Sequence, residues 1–226
     1  MAAGLGDTGL RAAHLVGSSG RVIITDFAPE MLAAARRRAE EMGVQNAEFR
    51  ALDAERMDLE TNSVDGVLCR WAYMLMIDPA AAFAETRRVL RPGGRLAFSV
   101  WAARELNPAL SLAGTVLVEL GHIPPPDPEA PGPFSMTDTA RIRELLVGVG
   151  FTEPEIEEVT FRRWFPSPDA YWRFLVETSA TSSPVLRSLP PKAQDTVREQ
   201  VHEVARPFHS GEGYDFPAVC LNVATH

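Results

Sequence analysis

The sequence GLGDTG at residues 4–9 decides how the first half of the chain is interpreted. It matches the pattern G-x-G-x-x-G, whose glycines permit a tight turn, a close backbone approach to a ligand and close helix packing. Asp26 ends the next apolar run, residues 22–25, and a carboxylate at the end of a strand can accept both hydroxyls of a ribose. The glycines alone are weak evidence. Together with Asp26 they predict a nucleoside-type ligand, and the alternative for Asp26 is an N-cap of the helix that begins at Pro29.

Short β-branched runs alternate with longer helical stretches from residue 7 to residue 101, which is typical of βα units on a parallel sheet. Predicted strands cover residues 22–25, 48–52, 64–70, 95–101, 156–164 and 216–224. Predicted helices cover residues 8–16, 29–42, 79–90, 108–120 and 137–147, the last with Thr137 or Asp138 as N-cap. The sequence RPGG at residues 91–94 predicts a sharp turn before the strand that follows it. The pattern predicts a doubly wound, mostly parallel α/β sheet.

The length and the loss of this alternation after Trp101 predict one domain with insertions. We expect a single domain over residues 1–226, with a cofactor-binding core of residues 1–101, 137–164 and 216–226. Mainly helical insertions, residues 102–136 and 165–215, would then cap a substrate site.

The composition excludes several classes of partner. Thirty acidic against 22 basic residues give a net charge of -8 without a long basic run, which argues against a nucleic acid partner. Cys69 and Cys220 lie in apolar runs, so we expect buried thiols in a reducing cytoplasm. No apolar stretch approaches the ~20 residues that span a bilayer, and the histidines do not combine with acids at metal-ligand spacing. We expect a cytoplasmic protein with no membrane span and no metal; the sequence is also compatible with a homodimer.

A second acid, Asp53, ends the strand predicted over residues 48–52. Because the carboxyl ends of parallel strands line one crevice, Asp26 and Asp53 should face the same ligand. Two carboxylates without a basic neighbour suit hydroxyl and amino donors better than a diphosphate. They favour an adenosine-type ligand over a dinucleotide, and the alternative for Asp53 is a turn or helix cap.

Five segments resemble the class I S-adenosylmethionine-dependent methyltransferases, in the branch similar to the ubiquinone/menaquinone-biosynthesis methyltransferases and other small-molecule C- or O-methyltransferases. They are AAGLGDT (2–8), TDFAPEML (25–32), DAE (53–55), DGVLCR (65–70) and RVLRPGGRL (88–96). The resemblance covers residues 2 to about 101, and the rest of the chain matches in architecture more than in motif. It implies S-adenosyl-L-methionine as the cofactor and a small-molecule methyl acceptor.

The resemblance also implies which residues contact the methionine end of the cofactor. Ala3, Gly4 and Gly6 would let the backbone approach the methionine portion. Arg70 and Trp71 would close the pocket near the reactive sulfonium, where an aromatic ring attracts the cation. The alternative for Trp71 is core packing.

A second group is implied around the adenosine. Asp26 would bind the ribose hydroxyls, and Phe27 and Met31 would pack around the adenosine. Asp53 would accept a hydrogen bond from the adenine amino group, with Ala54 beside it.

The chain departs from the family at its start. Members carry a hydrophobic strand before the glycine loop, ending in an acid two positions before the alanine pair that is Ala2 and Ala3 here. That central strand is missing, and its loss would leave two strands with unpaired backbone groups. We expect an N-terminally truncated reading frame, with a rearranged sheet or a strand borrowed from a partner chain as alternatives.

Catalytic residues are poorly marked, because methyl transfer from a sulfonium depends mainly on in-line alignment. If a base deprotonates the acceptor, the candidates are His122, Tyr73, His209 and Tyr171. Aromatic residues that could line an apolar acceptor site are Trp101, Phe134, Trp164, Tyr171, Trp172 and Phe174.

The leading hypothesis is methyl transfer to carbon or oxygen of a small apolar or aromatic acceptor. Two alternatives stay open: a non-catalytic protein that keeps the fold, favoured by the missing strand, and an NAD-dependent oxidoreductase that uses the glycine pattern. Asp53 and the turn at residues 91–94 argue against the second.

Overall fold

The computed structural model describes residues 1–127, 130–177, 179 and 182–226. Its α-helices are α1 (Asp7–Val16), α2 (Pro29–Glu41), α3 (Pro79–Val89), α4 (Pro108–Glu119), α5 (Thr139–Gly148), α6 (Pro168–Glu177), α7 (Ser183–Ser188) and α8 (Pro191–Ala205). Its strands are β1 (Val22–Asp26), β2 (Ala47–Ala51), β3 (Val64–Arg70), β4 (Leu90–Trp101), β5 (Glu155–Phe165), β6 (His209–Ser210) and β7 (Gly213–Thr225). Every predicted helix and strand is present, and the α/β architecture is the predicted one.

The turn predicted at residues 91–94 forms a bulge inside β4. Leu90 already pairs with Val64 of β3, and the next pair joins Arg95 to Gly66. The residues between them cannot continue the ladder, because Pro92 has no N–H and Gly93 has a left-handed φ of +79°. Pairing on both sides of the bulge keeps the segment in one strand.

The chain divides into two compact units. The first comprises Met1–Val100, Asp138–Glu157 and Leu221–His226, and the second Trp101–Thr137 and Glu158–Cys220. In the first unit Leu10, Ile24, Leu32 and Ala39 form a small core between α1, β1 and α2. Asp138 is the N-cap of α5, as one of the two predicted alternatives had it.

The second unit has its own helical core. Buried residues of α4, α6, α7, α8 and β7 form one cluster, which is Ala109, Ala113, Val116, Leu117, Tyr171, Leu175, Leu186, Val197, Val201, Ala205, Tyr214 and Phe216. The thiols of Cys69 and Cys220 are buried, as predicted, and neither is in a disulfide within the described residues. Burial raises the pKa of Cys69 to about 11.

The strands form two separate sheets. Strands β1 and β2 pair in parallel, and a second sheet has the order β3-β4-β7-β5, with β3 parallel to β4 and β6 paired to β7. Among the described residues, β1 has β2 as its one paired neighbour and β3 has β4.

A cavity of about 1070 Å³ lies between β1 and β3. Its walls include residues 22–25 of β1, residues 64–68 of β3 and the inner side of α1. Residues 1–3 bridge its upper end, where the Met1 amino group donates to the Leu68 carbonyl at 2.9 Å and the Ala3 amide donates to the Thr25 carbonyl at 2.9 Å. We call this space the inter-strand cavity.

Candidate functional site

The glycine loop lies at the carboxyl end of β1 and leads into α1. Gly6 has a φ of +87°, and a Cβ there would lie 3.0 Å from Cβ of Ala35, so both the backbone and the packing against α2 require glycine. Gly4 has a φ of +52°, but a Cβ added to it would meet no described atom within 4 Å. The loop is therefore packed tightly on one side and open at Gly4, where a ligand can approach the backbone.

Asp26 ties this loop to β1. Its Oδ2 accepts from the Gly4 amide at 2.7 Å and its Oδ1 from the Ala28 amide at 3.0 Å. Ala28, not Asp26, is the N-cap of α2, so the N-cap alternative for Asp26 is wrong. Each carboxylate oxygen can accept a second hydrogen bond, and the half-buried side chain keeps this capacity for a ligand hydroxyl.

Asp53 lies close to Asp26 through the backbone. Ala51 is the register partner of Asp26, and the Leu52 amide donates to the Asp26 carbonyl at 3.1 Å. The Oδ1 of Asp53 accepts from the Glu55 amide at 2.9 Å, which is the predicted turn role. Its Oδ2 accepts from no described residue, so one oxygen of this exposed side chain is available to a ligand.

Large apolar side chains are exposed at the same edge. Phe27 is 79% and Met31 43% exposed in the loop and helix that follow β1. Leu5 of the glycine loop and Ile77, which follows β3, are exposed as well. Single exposed apolar residues are ordinary, but these four lie in or next to the loops that carry the candidate cofactor residues.

Arg70 and Trp71 follow the end of β3. The Arg70 guanidinium carbon lies 4.9 Å from the centroid of the Trp71 ring, and Arg70 Nη2 donates to Asp7 Oδ2 at 3.2 Å. Trp71 has a φ of +58°, which is strained for a bulky residue, and such strain collects at functional sites. Its amide donates to the Ser99 carbonyl at 2.8 Å, which fixes the turn to β4.

Sequence reasoning missed Asp7, which links the two sides of the inter-strand cavity. Arg38 of α2 donates to Asp7 Oδ1 at 2.7 Å and to the Leu5 carbonyl at 2.7 Å. Hydrogen bonding to Arg38, followed by the charges of Arg38 and Arg70, lowers the pKa of Asp7. The only signal in the sequence was an acid in the first turn of a helix, which is common for other reasons.

Sequence reasoning also missed Glu55, whose Oε1 accepts from the amides of Ile77 at 2.7 Å and Asp78 at 3.2 Å. This contact joins the loop after β2 to the loop after β3. Ala54, the predicted neighbour of the adenine, is buried between them.

The ten predicted cofactor residues all lie in the first unit, in the loops at the carboxyl ends of β1, β2 and β3 or in the first turn of α2. Of these, Ala3, Gly4, Arg70 and Trp71 also line the inter-strand cavity. Asp26, Phe27 and Asp53 do not, so the cavity and the candidate cofactor edge overlap only in part.

Two of the four candidate bases are enclosed in apolar cores. The Tyr73 ring stacks on Phe83 and its hydroxyl lies 2.7 Å from the Thr86 hydroxyl. Tyr171 donates to the Ala109 carbonyl at 3.1 Å. Burial raises the pKa of both tyrosines, so their hydroxyls stay protonated and engaged with the protein. We do not propose either tyrosine as a base.

The two candidate histidines lie in the second unit. His209 is exposed, with its ring edge-to-face against Tyr214 at 5.7 Å. His122 is half-buried. Neither histidine is hydrogen-bonded to a described carboxylate that would orient it as a base.

The predicted acceptor-lining residues do not share one surface. Trp101, Tyr171 and Phe174 are connected through contacts with β5, whereas Trp164 is 63% exposed on the opposite face of that strand. Phe134 lies 5.0 Å beneath the guanidinium carbon of Arg104.

Within residues 1–127, 130–177, 179 and 182–226, no group of three His, Cys, Asp or Glu side chains is arranged to hold a metal ion. No helix in the same ranges combines the length and the apolar character that crossing a membrane would need.

Comparison with known sequences finds similarity in the first part of the chain. Residues 1–98 match the family described as "Methyltransferase domain". A ubiquinone/menaquinone biosynthesis C-methyltransferase, UbiE of Hahella chejuensis, is 35% identical over 114 residues, which are 50% of this chain and 45% of that protein. The chain spans less than half the length of the curated relatives it matches.

Comparison with solved structures extends the likeness to the whole chain at the level of fold. YcgJ from Bacillus subtilis superposes with a TM-score of 0.63 at 18% identity, covering 99% of this chain and 88% of that one. A putative methyltransferase from Bacillus halodurans superposes with a TM-score of 0.59 at 23% identity, covering 96% and 88%.

Proposed function

We propose that this chain, whose residues 1–98 match the methyltransferase-domain family and whose fold resembles solved structures of putative methyltransferases, binds S-adenosylmethionine and transfers its methyl group to carbon or oxygen of a small acceptor. The cofactor supplies an electrophilic methyl group on a sulfonium. The chain's own residues hold the cofactor and exclude water from the reacting atoms.

The observation that carries the proposal is the juxtaposition of Asp26 with the open side of the glycine loop. The carboxylate binds the Gly4 amide at 2.7 Å, so a ribose that reaches Asp26 lies beside the backbone of Gly4. Phe27 and Met31 offer exposed apolar contacts on the next turn. The arrangement suits a ligand with a polar sugar between an apolar base and a charged tail.

Asp53 supports an adenine on the same ligand. Its available Oδ2 can accept from an amino group, as the residues of this loop do in the resemblance described above. The absence of an arginine or lysine hydrogen-bonded to Asp26 or Asp53 among the described residues argues against a diphosphate at this edge.

Arg70 and Trp71 support the placement of the sulfonium at the end of β3. The ring attracts a cation through its face, although Arg70 now occupies one face at 4.9 Å. Because Arg70 is exposed and pairs with Asp7 at 3.2 Å, it can move without breaking the core.

We also propose a class of acceptor, a cellular location and an oligomeric state. The acidic composition supports a small-molecule acceptor rather than a nucleic acid, and the two buried thiols suit a cytoplasmic protein. A homodimer is compatible with the sequence.

Isothermal titration calorimetry with S-adenosylmethionine, S-adenosylhomocysteine and NAD tests the proposal. We expect both adenosyl compounds to bind and NAD to bind at least tenfold more weakly, because a diphosphate would lie against two carboxylates. Binding of NAD alone would indicate the oxidoreductase alternative. If none of the three binds to folded protein, the non-catalytic alternative replaces this one.

A further inference from the structure

Arg163 lies among three aromatic rings of the second unit. Its guanidinium carbon is 4.6 Å from the ring centroid of Phe174, 5.8 Å from that of Trp101 and 5.9 Å from that of Phe165. The alternation of β5 explains this position, because Phe161, Arg163 and Phe165 are half-buried while the residues between them are exposed. We call Arg163 and the rings of Trp101, Phe165 and Phe174 the arginine cage.

The guanidinium has no anionic partner in the part of the chain that the structure describes. It makes no hydrogen bond or ion pair there, although it carries five N–H donors. Partial burial lowers the pKa of Arg163, and the nearby Tyr171 opposes this effect. The guanidinium nitrogens of Arg163 are not fully buried, so their donors are accessible to water or to a ligand.

Other arginines of the chain also lie over rings. Arg70 and Arg87 each have a polar partner as well, because Arg70 pairs with Asp7 and Arg87 donates to the Gly150 carbonyl. Arg36 and Arg104 make no side-chain hydrogen bond or ion pair with a described residue, but each lies over a single ring. Arg163 differs from all four because it lies over three rings. Arg162, the preceding residue, donates through Nε to Asp215 Oδ1 at 3.0 Å and through Nη2 to the Asp215 carbonyl at 2.7 Å.

We propose that Arg163 binds the carboxylate of an apolar or aromatic ligand whose body packs on the rings of the arginine cage. The planar fork of a guanidinium matches the two oxygens of a carboxylate, and a partly dehydrated site strengthens the pair. The aromatic walls select a ligand with an apolar face next to its carboxylate. This binding site goes beyond the proposed function and does not depend on it.

The experiment uses the full chain without cofactor and an isosteric pair of probes, phenylacetate and phenylacetamide. Indole N–H signals are followed by NMR during titration, and the signal of Trp101 is assigned with Trp101→Phe. We expect phenylacetate to shift the Trp101 signal and to bind at least about tenfold more tightly than the amide, because only the carboxylate makes a charge-assisted pair.

Three variants complete the test. Arg163→Met keeps the aliphatic packing and should lose the preference for the carboxylate, whereas Arg163→Lys keeps the charge and should retain part of it. Arg162→Met, on the exposed face of β5, is the matched control and should keep the preference. Thermal melting confirms that each variant is folded, and Arg163→Gln, which also removes the charge, replaces Arg163→Met if that variant does not fold.

Two results would overturn the proposal: equal affinity for the two probes in the unmodified protein, or an unchanged preference in Arg163→Met. Titration of S-adenosylmethionine into Arg163→Met separates this site from the cofactor site. Normal cofactor binding with loss of the carboxylate preference supports both proposals. If S-adenosylmethionine does not bind to the unmodified protein, only the proposed function is overturned.

Discussion

At the residue scale, Asp26 serves both the structure of the glycine loop and the proposed cofactor site. It holds the amides of Gly4 and Ala28 with its two oxygens and is also the proposed acceptor for the ribose. A family pattern identifies such an acid as a cofactor ligand. The structure adds that the same acid organises the glycine loop, so the two roles should be lost together.

We therefore expect Asp26→Ala to weaken S-adenosylmethionine binding at least tenfold, because hydrogen bonds to a charged group contribute about 1.5–3 kcal/mol. Calorimetry measures the affinity. Thermal melting measures the loss of stability that follows when the amides of Gly4 and Ala28 lose their acceptor. Asp65→Ala is the matched control, because Asp65 is an acid near the opposite end of β3, where it pairs with Arg91. Unchanged affinity in Asp26→Ala would show that the ribose is held by other residues.

At the element scale, the fit of α1 on β1 depends on Gly9. A Cβ at Gly9 would lie 2.8 Å from Cγ1 of Ile24, which is buried and branched and has little room to move. This is the third glycine of the pattern, and it has the close-packing role that the pattern predicts. Gly114, within α4, provides the contrast, because a Cβ there would meet only the tip of Arg104 at 4.0 Å.

The two positions predict opposite effects of the same substitution. Gly9→Ala should destabilise the protein by about 1–3 kcal/mol through overpacking, despite the better helix propensity of alanine. Gly114→Ala should stabilise it by about 0.5–1 kcal/mol, since only propensity changes. Urea denaturation measures both. A stabilising Gly9→Ala would mean that α1 can move away from β1.

Periodicity was enough to predict the elements of the fold. The residues 22–25, 29–42 and 64–70 have unambiguous patterns, and the structure differs from them by one residue at most. The bulge at residues 91–94 was not predictable, because its pairing depends on Val64 and Gly66 in another strand.

The candidate site was only partly readable in the sequence. Acids at strand ends are visible there, whereas Asp7, Glu55 and Arg163 matter through partners that are distant along the chain or, for Arg163, through the lack of one. A signal for Arg163 did exist, since it shares strand parity with Phe161 and Phe165. The buried state of Tyr73 depends on packing by Phe83 and Phe98, which no local pattern reports.

At the scale of the whole molecule, the inter-strand cavity leaves β1 and β3 each with one unpaired edge. We expect the amides of residues 22–26 and 64–70 to exchange with deuterium faster than those of residues 95–100 in β4, because β4 is paired to strands on both sides. Hydrogen-exchange mass spectrometry compares these peptides directly. Equal protection of the three strands would show that the edges find partners in solution, and cross-linking would then identify a second chain.

The interrupted sheet also has a mechanical consequence for the candidate cofactor edge. Asp26 and Asp53 are carried by one sheet, and Arg70 and Trp71 by the other. In a continuous sheet, backbone hydrogen bonds would fix the distance between these groups. Here the connections are a salt bridge from Asp7 to Arg70 and the two backbone hydrogen bonds of residues 1–3. The distance between the two parts of the site is therefore set by a few weak contacts, and a ligand that binds to both sheets would itself hold them together.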